Sequence, residues 1–213
     1  YEGVDHRRFT TTGRSAEERT AWLRNVYGIK RDYILFVGTL EPRKNLISLV
    51  EAFYHLLQRK PNLVKSYQLV IAGSPGWLYE EIFEEVKSRS LESYVIFPGY
   101  IVPADVPGLF SGATLFVYPS LYEGFGLPVL EAMAAGVPVI TSSVSSLPEI
   151  TGDAAMLVDP HDMEGLSAAM ERLLLDPAAR ADLGQRGQKR AAKFTWKRCA
   201  QETLEVYRAV AQK

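Results

Sequence analysis

Six short apolar segments recur along the chain, and each is followed within two residues by Gly, Pro or Ser. None alternates apolar with polar positions, a pattern that indicates strands covered on both faces, as in a parallel sheet. The segments are residues 33–37, 68–72, 94–97, 115–118, 138–141 and 156–158. The pattern therefore predicts a parallel sheet of about six strands.

Segments with helical periodicity lie between these strands. Apolar residues from Leu46 to Leu57 recur every three or four positions, which predicts a helix with one apolar face. Further helices are expected at residues 78–91, 128–135 and 163–175. Strands that alternate with helices predict an α/β fold, in which a Rossmann-like, doubly wound sheet carries helices on both faces.

The two ends of the chain differ from this middle part. Residues 1–31 contain one predicted helix, at 16–27, and are interpreted as a lead-in or interdomain linker. A single sheet domain is expected over residues 32–194. Residues 195–213 form a predicted C-terminal segment whose helix covers residues 196–211.

The composition is that of an ordinary globular protein, since 47% of the 213 residues are hydrophobic and 23% are charged. With 24 Lys and Arg against 25 Asp and Glu, the net charge of −1 predicts neither nucleic acid nor an anionic membrane as a partner. The single cysteine, Cys199, excludes an internal disulfide. Because the chain begins at Tyr1 without Met or a signal peptide, we expect a piece of a longer, cytoplasmic protein.

A glycine-rich loop follows the fourth predicted strand and leads into a helix. Gly124 and Gly126 precede Pro128, which suits a first helical turn. Free N–H groups at such a helix start form an anion site, and the carboxylates of Glu123 and Glu131 bracket it. Carboxylates accept hydrogen bonds from sugar hydroxyls, so the two could hold a nucleotide sugar. The spacing alone equally allows a loop charge and a first-turn charge without a ligand.

The loop after the first strand carries two cations at the same predicted edge of the sheet. Arg43 and Lys44 are well placed for a diphosphate, or are ordinary surface cations. Asn45 is expected to be the N-cap of the following helix. The loop at residues 72–77, after the second strand, is interpreted as a plain tight turn, although it could line the same crevice.

Several other chemistries lack their motifs in this sequence. There is no P-loop, no G-x-S-x-G elbow and no third glycine of a dinucleotide fingerprint. The three histidines, His6, His55 and His161, are scattered and form no metal-ligand pattern. No Asp-x-Asp pair is present to chelate a metal–diphosphate, so we expect no metal.

Taken together, these residues resemble the retaining family 4 (group 1) glycosyltransferases, in the carboxy-terminal half of their two-domain GT-B fold. The most specific part of this resemblance is the E-x7-E arrangement of Glu123 and Glu131 within the surrounding matching segments. The matching segments are residues 36–45, 70–73, 116–120, 123–134, 136–140, 147–149, 152–155, 158–160 and 194–196. The resemblance implies a metal-independent transferase without a cofactor, whose donor substrate is a nucleotide sugar.

The resemblance also implies a role for each matching position. Glu123, with Lys44 and Arg43, would serve catalysis, by holding the donor sugar and the diphosphate. Glu131 would hold the ribose hydroxyls. The remaining donor-binding positions are the backbone around Gly124, Phe125 and Gly126, the nucleoside contact Leu127, the first-strand loop Gly38 and Thr39, and the base contacts Tyr100 and Ile101.

Two departures from the family pattern limit these expectations. Thr39 stands where many relatives carry Arg, a charge that Arg43 would have to supply. The amino-terminal half, which binds the acceptor in the family, is absent from the sequence. We therefore expect this chain alone to bind a donor but to transfer sugar poorly, with any membrane contact made through the absent half.

The loop at residues 40–45 resembles that of bacterial surface-polysaccharide transferases, many of which use GDP-mannose and others UDP sugars. This favours transfer of a hexosyl group, with mannosyl from GDP-mannose preferred, to a glycan or lipid-linked acceptor. The alternative from another class is a non-catalytic nucleotide-binding or interaction module of the same fold.

Overall fold

The computed structural model describes residues 1–10, 13 and 15–211. Within them, a sheet of six parallel strands has the order β3-β2-β1-β4-β5-β6. The strands are β1 (Asp32–Val37), β2 (Tyr67–Ala72), β3 (Val95–Gly99), β4 (Leu115–Tyr118), β5 (Val139–Ser142) and β6 (Met156–Val158). This is the sheet that the apolar pattern predicts, with every boundary within two residues of the expected one.

The strand order reverses between β1 and β4, which pair through Ile34 with Leu115 and Leu35 with Phe116. From β1 the chain moves outward to β2 and β3, then crosses to β4 and continues in the other direction. In a doubly wound sheet, the loops that leave the two strands at such a reversal diverge and open a crevice at the carboxyl edge. The loops after β1 and β4 are those with the candidate site residues.

Helices pack against both faces of the sheet. In one group α3 contacts α5 and α9, and in the other α7 contacts α1, α6 and α10. In chain order the helices are α1 (His6–Thr10), α2 (Ala16–Tyr27), α3 (Leu46–Arg59), α4 (Pro61–Val64), α5 (Glu80–Ser88), α6 (Val106–Gly112), α7 (Leu127–Ala134), α8 (Leu147–Thr151), α9 (Met163–Leu175), α10 (Pro177–Ala191) and α11 (Trp196–Ala211). All the predicted helices are present.

The short helices α1, α4, α6 and α8 were not predicted, because each is too short for a periodic pattern to emerge. The helix expected from Leu78 begins at Glu80 instead. Leu78 has a backbone φ of 53°, which a right-handed helix does not allow.

The amino-terminal segment packs into the same core as the sheet domain. The side chains of Val4, Phe9, Leu23 and Ile29 are buried, and the Val4 N–H donates to the Phe194 carbonyl oxygen over 3.3 Å. The function of this segment as an interdomain linker stays a prediction. Residues 11, 12, 14, 212 and 213, which belong to the predicted lead-in and C-terminal segment, lie outside the described residues.

The expectation for Asn45 was wrong in one respect. Asn45 precedes α3 with a φ of 58°, but its side chain does not cap the helix. Its amide instead donates to the carbonyl oxygens of Pro119, over 3.2 Å, and Pro160, over 2.7 Å. Its Oδ1 accepts a hydrogen bond from the Ser48 hydroxyl over 2.7 Å instead of from a helix N–H, and its amide ties together the loops after β1, β4 and β6.

Candidate functional site

The loops after β1 and β4 meet at the strand-order reversal. The first folds into a single 3-10 turn, Pro42–Lys44, and the Leu121 N–H of the second donates to the Arg43 carbonyl oxygen over 2.9 Å. This contact places the two consecutive cations of the first loop against the start of the glycine-rich loop. Residues far apart in the sequence are thereby brought into one site.

Lys44 forms a buried ion pair with Glu123. Its side chain is only 8% exposed, and its Nζ lies 2.6 Å from Glu123 Oε1. The same ammonium donates to the Tyr118 hydroxyl over 2.7 Å and lies 5.1 Å from the centre of that ring. Since burial makes an unpaired charge costly, the carboxylate and the phenol together hold the lysine in place.

Arg43 binds the other oxygen of the same carboxylate. Its Nη1 lies 3.0 Å from Glu123 Oε2, and its Nη2 lies 2.6 Å from Glu41 Oε1. Nη1 also donates to the Tyr122 carbonyl oxygen over 2.8 Å. The guanidinium is 40% exposed, so it borders solvent while Lys44 lies beneath. Both cations thus lie at the cleft, each with a carboxylate partner.

This arrangement sets the protonation of the site. Burial alone would raise the pKa of the Glu123 carboxyl, but the ion pair with Lys44 and the neighbouring Tyr118 hydroxyl outweigh it and hold that pKa below its ordinary value. Burial, together with the negative charge of Glu123, raises the pKa of Tyr118. Glu123 is therefore ionised and Tyr118 protonated at neutral pH.

The glycine-rich loop presents free backbone donors to the cleft. Among the described residues, the N–H groups of Gly124, Phe125 and Gly126 have no hydrogen-bond acceptor. The loop is fixed from the other side by Ser146, whose Oγ donates to the carbonyl oxygens of Glu123 and Phe125 over 3.0 and 2.6 Å. Free N–H groups at the start of α7 are suited to bind an anion.

Two adjoining cavities form one cleft at this edge of the sheet, with volumes of about 360 and 210 Å³. Both include Gly38 and Thr39 in their walls. The larger is lined by the further predicted residues Arg43, Lys44, Glu123, Phe125, Gly126 and Leu127, and the smaller by Tyr100 and Ile101. The structure thus brings together ten of the predicted site residues.

The loop after β2 is more than the plain turn that the sequence suggested. Gly73 and Ser74 line the smaller cavity, beside Tyr100. Gly73 has a φ of 144°, and an added Cβ there would lie 1.8 Å from the Gly38 carbonyl oxygen. Only a residue without a side chain allows this contact, which explains how the loops after β1 and β2 share one wall of the cleft.

Gly124 and Glu131 lie outside the lining of these cavities. Glu131 is half-buried in α7, and burial raises its pKa to about 7, against the lowering effect of the Arg8 charge. No hydrogen bond or ion pair within the described residues involves its carboxyl. The predicted contact of Glu131 with a ribose therefore stays a prediction, as do the other ligand contacts.

Three contributors to the site were not found from the sequence. Tyr118 holds Lys44, Glu41 holds Arg43, and the Ser145 hydroxyl accepts the Glu123 N–H over 3.1 Å. The sequence signal that could have found them is their position near strand ends. Tyr118 ends β4, Glu41 follows β1 and Ser145 follows β5, all at the same edge of the sheet. A search of every residue within a few positions of a strand end would have included all three.

In the described part of the chain, no group of three or more His, Cys, Asp or Glu side chains is arranged to hold a metal ion. Nor is any of its helices both long and apolar enough to cross a bilayer.

Comparison with known proteins identifies the family of this chain. The family model described as glycosyl transferases group 1 matches residues 23–190. The O-antigen chain mannosyltransferase B of Escherichia coli is 41% identical over 176 residues, which are 83% of this chain and 45% of that protein. The chain therefore spans less than half the length of that relative.

Solved structures agree in fold. The sucrose-phosphate synthase of Thermosynechococcus elongatus has a TM-score of 0.82 at 30% identity, over 99% of this chain and 52% of that one. Alr3699/HepE of Anabaena, in complex with UDP, has a TM-score of 0.81 at 21% identity, over 98% of this chain and 56% of that one. Because the family model covers most of the sheet domain as well, the chain belongs to the group 1 glycosyltransferases.

Proposed function

We propose that this chain is the donor-binding domain of a retaining, metal-independent glycosyltransferase that uses a nucleotide sugar. The observation that carries the proposal is the ionised, buried Glu123 carboxylate between Lys44 and Arg43, next to free N–H groups at the start of α7. Cations and a helix start suit a diphosphate, while a carboxylate suits sugar hydroxyls. Glu123, the two cations and the start of α7 all lie at one cleft. A single ligand that carries both a diphosphate and a sugar requires this arrangement.

In the proposed complex the diphosphate binds Lys44, Arg43 and the N–H groups of the glycine-rich loop. Its entry displaces part of the contact that Glu123 makes with the two cations, which frees the carboxylate for the donor sugar. The base would then lie along Tyr100 and Ile101 in the smaller cavity. Gly38 and Thr39, common to both cavities, support this placement because the diphosphate joins the two ends of the ligand.

The proposed reaction exchanges one bond at the anomeric carbon for another on the same face of the sugar. The bond from that carbon to the diphosphate oxygen breaks, and the acceptor oxygen bonds to the carbon. The acceptor's hydroxyl proton passes to the leaving diphosphate. Lys44, Arg43 and the start of α7 would stabilise the negative charge that develops on the diphosphate, without rearranging during the reaction.

A mannosyl group from GDP-mannose is the favoured donor group. The relative from Escherichia coli is named a mannosyltransferase, which supports this choice. The complex of Alr3699/HepE with UDP supports a nucleoside diphosphate as the ligand, without favouring guanine. A glycan or lipid-linked acceptor would be bound by a further, amino-terminal domain.

The carboxy-terminal helix supports the proposal of a further domain. Although α11 contributes no buried residue among those described, it carries exposed apolar side chains along its length, including Leu204, Tyr207 and Val210. The Escherichia coli relative is more than twice as long as the matched region. We therefore expect the chain alone to bind a donor and to transfer sugar poorly.

Calorimetric titration of this chain with GDP, UDP and ADP, in the presence of EDTA, tests the proposal. We expect one of them to bind with a dissociation constant of about 1 μM. The corresponding nucleotide sugar should lose more affinity than the free diphosphate when Glu123 is changed to Gln, whereas Glu84→Gln, which removes an exposed carboxylate of α5 outside the cleft, serves as the control.

Failure of all three nucleotides to bind would overturn the donor-site proposal. Binding that requires Mg²⁺ would overturn only its metal-independent part. If the Glu123→Ala variant of the complete protein still transferred sugar at a normal kcat/KM, the catalytic assignment would be wrong and a non-catalytic site would remain.

A further inference from the structure

Arg8 joins the amino-terminal segment to the loop after β3. Its Nη2 donates a hydrogen bond of 2.7 Å to the carbonyl oxygen of Pro103. Two residues of the same loop, Tyr100 and Ile101, line the smaller cavity of the cleft. A contact at Pro103 therefore restrains the part of the cleft where the base of the donor is proposed to lie.

The backbone that carries Arg8 is itself well anchored. Its neighbour Phe9 is 3% exposed and packs edge-to-face on Phe110 of α6, with ring centres 5.9 Å apart. The Arg8 N–H donates to the Asp5 carbonyl oxygen over 3.1 Å, and its guanidinium lies 5.8 Å from the Phe9 ring centre. The exposed guanidinium thus extends from a fixed position.

The charge of Arg8 also acts on the second carboxylate of the site. The helix of Arg8, α1, packs against α7, which carries Glu131. Burial raises the pKa of Glu131 to about 7, and Arg8 is the charged group that opposes this rise. A carboxylate accepts hydrogen bonds from hydroxyls more strongly when it is ionised. Removal of the Arg8 charge would therefore leave a larger neutral fraction of Glu131 at neutral pH.

We propose, on the basis of the proposed function, that Arg8 is a positioning residue for the nucleoside. It holds the loop after β3 through Pro103, and it provides positive charge near Glu131, the carboxylate proposed to receive the ribose hydroxyls. Arg8 acts through Pro103 and Glu131 and does not need to touch the ligand. The segment before the sheet domain is in this way part of the donor site.

The test compares ribose with deoxyribose. GDP, UDP and their 2′-deoxy forms are titrated into the wild-type chain and into the variants Arg8→Ala, Arg8→Lys and Arg7→Ala. Arg7→Ala is the matched control, since it removes the same charge from the same short helix. Thermal unfolding of each variant checks that the fold is retained.

We expect Arg8→Ala to weaken ribonucleotide binding about tenfold and to lose most of the preference for ribose over deoxyribose. Arg8→Lys should keep most of that preference because it keeps the charge, and Arg7→Ala should behave like the wild type. An equal loss for ribose and deoxyribose would overturn the effect of the Arg8 charge on Glu131 and leave only the restraint through Pro103, and wild-type affinity in Arg8→Ala would overturn the inference. If the wild-type chain binds none of the nucleotides, the proposed function itself fails.

Discussion

Glu123, at the start of the glycine-rich loop, and Glu131, in α7, are two carboxylates whose pKa values shift in opposite directions. Both are largely removed from solvent, but the pKa of Glu123 is lowered because its ion pair with Lys44 and the neighbouring Tyr118 hydroxyl outweigh burial. The pKa of Glu131 is raised to about 7, because burial acts on it with only the Arg8 charge in opposition. The partners around each group, more than its depth, decide which form it takes near neutral pH.

The raised pKa of Glu131 predicts a stability that depends on pH. Between its ordinary pKa of 4.5 and the folded value of about 7, the folded protein keeps a proton that the unfolded chain has lost. Stability therefore falls as the pH rises through this window. Glu131→Gln cannot ionise, so we expect it to be more stable than the wild type at pH 8, with the difference vanishing below about pH 4.5.

Thermal unfolding midpoints of the wild type and Glu131→Gln at pH 4.5 and pH 8 measure this difference. Glu84→Gln, at an exposed position of α5, is the control. A gap of equal size at both pH values would show that the variant acts through packing and not through ionisation. The same variant should bind nucleotide more weakly if the carboxylate receives the ribose.

At the scale of elements, the loop that leads into α7 contains two glycines with different structural roles. Gly126 precedes α7 with a φ of 115°, and an added Cβ would lie 2.8 Å from Leu147 Cδ2. Gly124 has no other atom within 4 Å of an added Cβ. One glycine is therefore required by the backbone, and the other leaves open space next to a proposed ligand.

These positions predict different effects of the same substitution. Gly126→Ala should lower the free energy of unfolding by about 2 kcal/mol, because alanine is strained at this φ and contacts Leu147. Gly124→Ala should change it by less than about 0.5 kcal/mol. Urea denaturation of both variants measures the contrast, and similar losses in the two would contradict the assigned roles.

At the scale of the whole molecule, stability resides in the sheet domain and its two helical layers. The α3 residue Leu56 is 0% exposed, whereas Leu204 of α11 is 46% exposed. Both are leucines in long helices, so they differ mainly in what covers them. The comparison separates the core of this chain from the surface of its last helix.

We expect Leu56→Ala to lower the free energy of unfolding by about 2–5 kcal/mol, through the cavity that it leaves. Leu204→Ala should change it by less than about 0.5 kcal/mol, because no burial is lost. Chemical denaturation of the two variants provides the measurement. A large loss in Leu204→Ala would mean that α11 is covered in the isolated chain, for example by a second copy.

The secondary structure and its alternation were predictable from the sequence because they depend on local periodicity. Uninterrupted apolar segments such as residues 115–118 mark strands covered on both faces, and the stripe from Leu46 to Leu57 marks an amphipathic helix. Turn-forming residues at the strand ends also located the loops that line the cleft. Short helices such as α6 contain too few residues to show a period.

Tertiary structure alone decided which of these loop residues act together. The strand order β3-β2-β1-β4-β5-β6 makes β1 and β4 neighbours, which places Lys44 against Glu123 although 79 positions separate them. The support from Tyr118, the contact of Arg8 with Pro103 and the raised pKa of Glu131 arise in the same way. Burial and charge–charge contacts depend on distance in space, whereas periodicity depends only on neighbours along the chain.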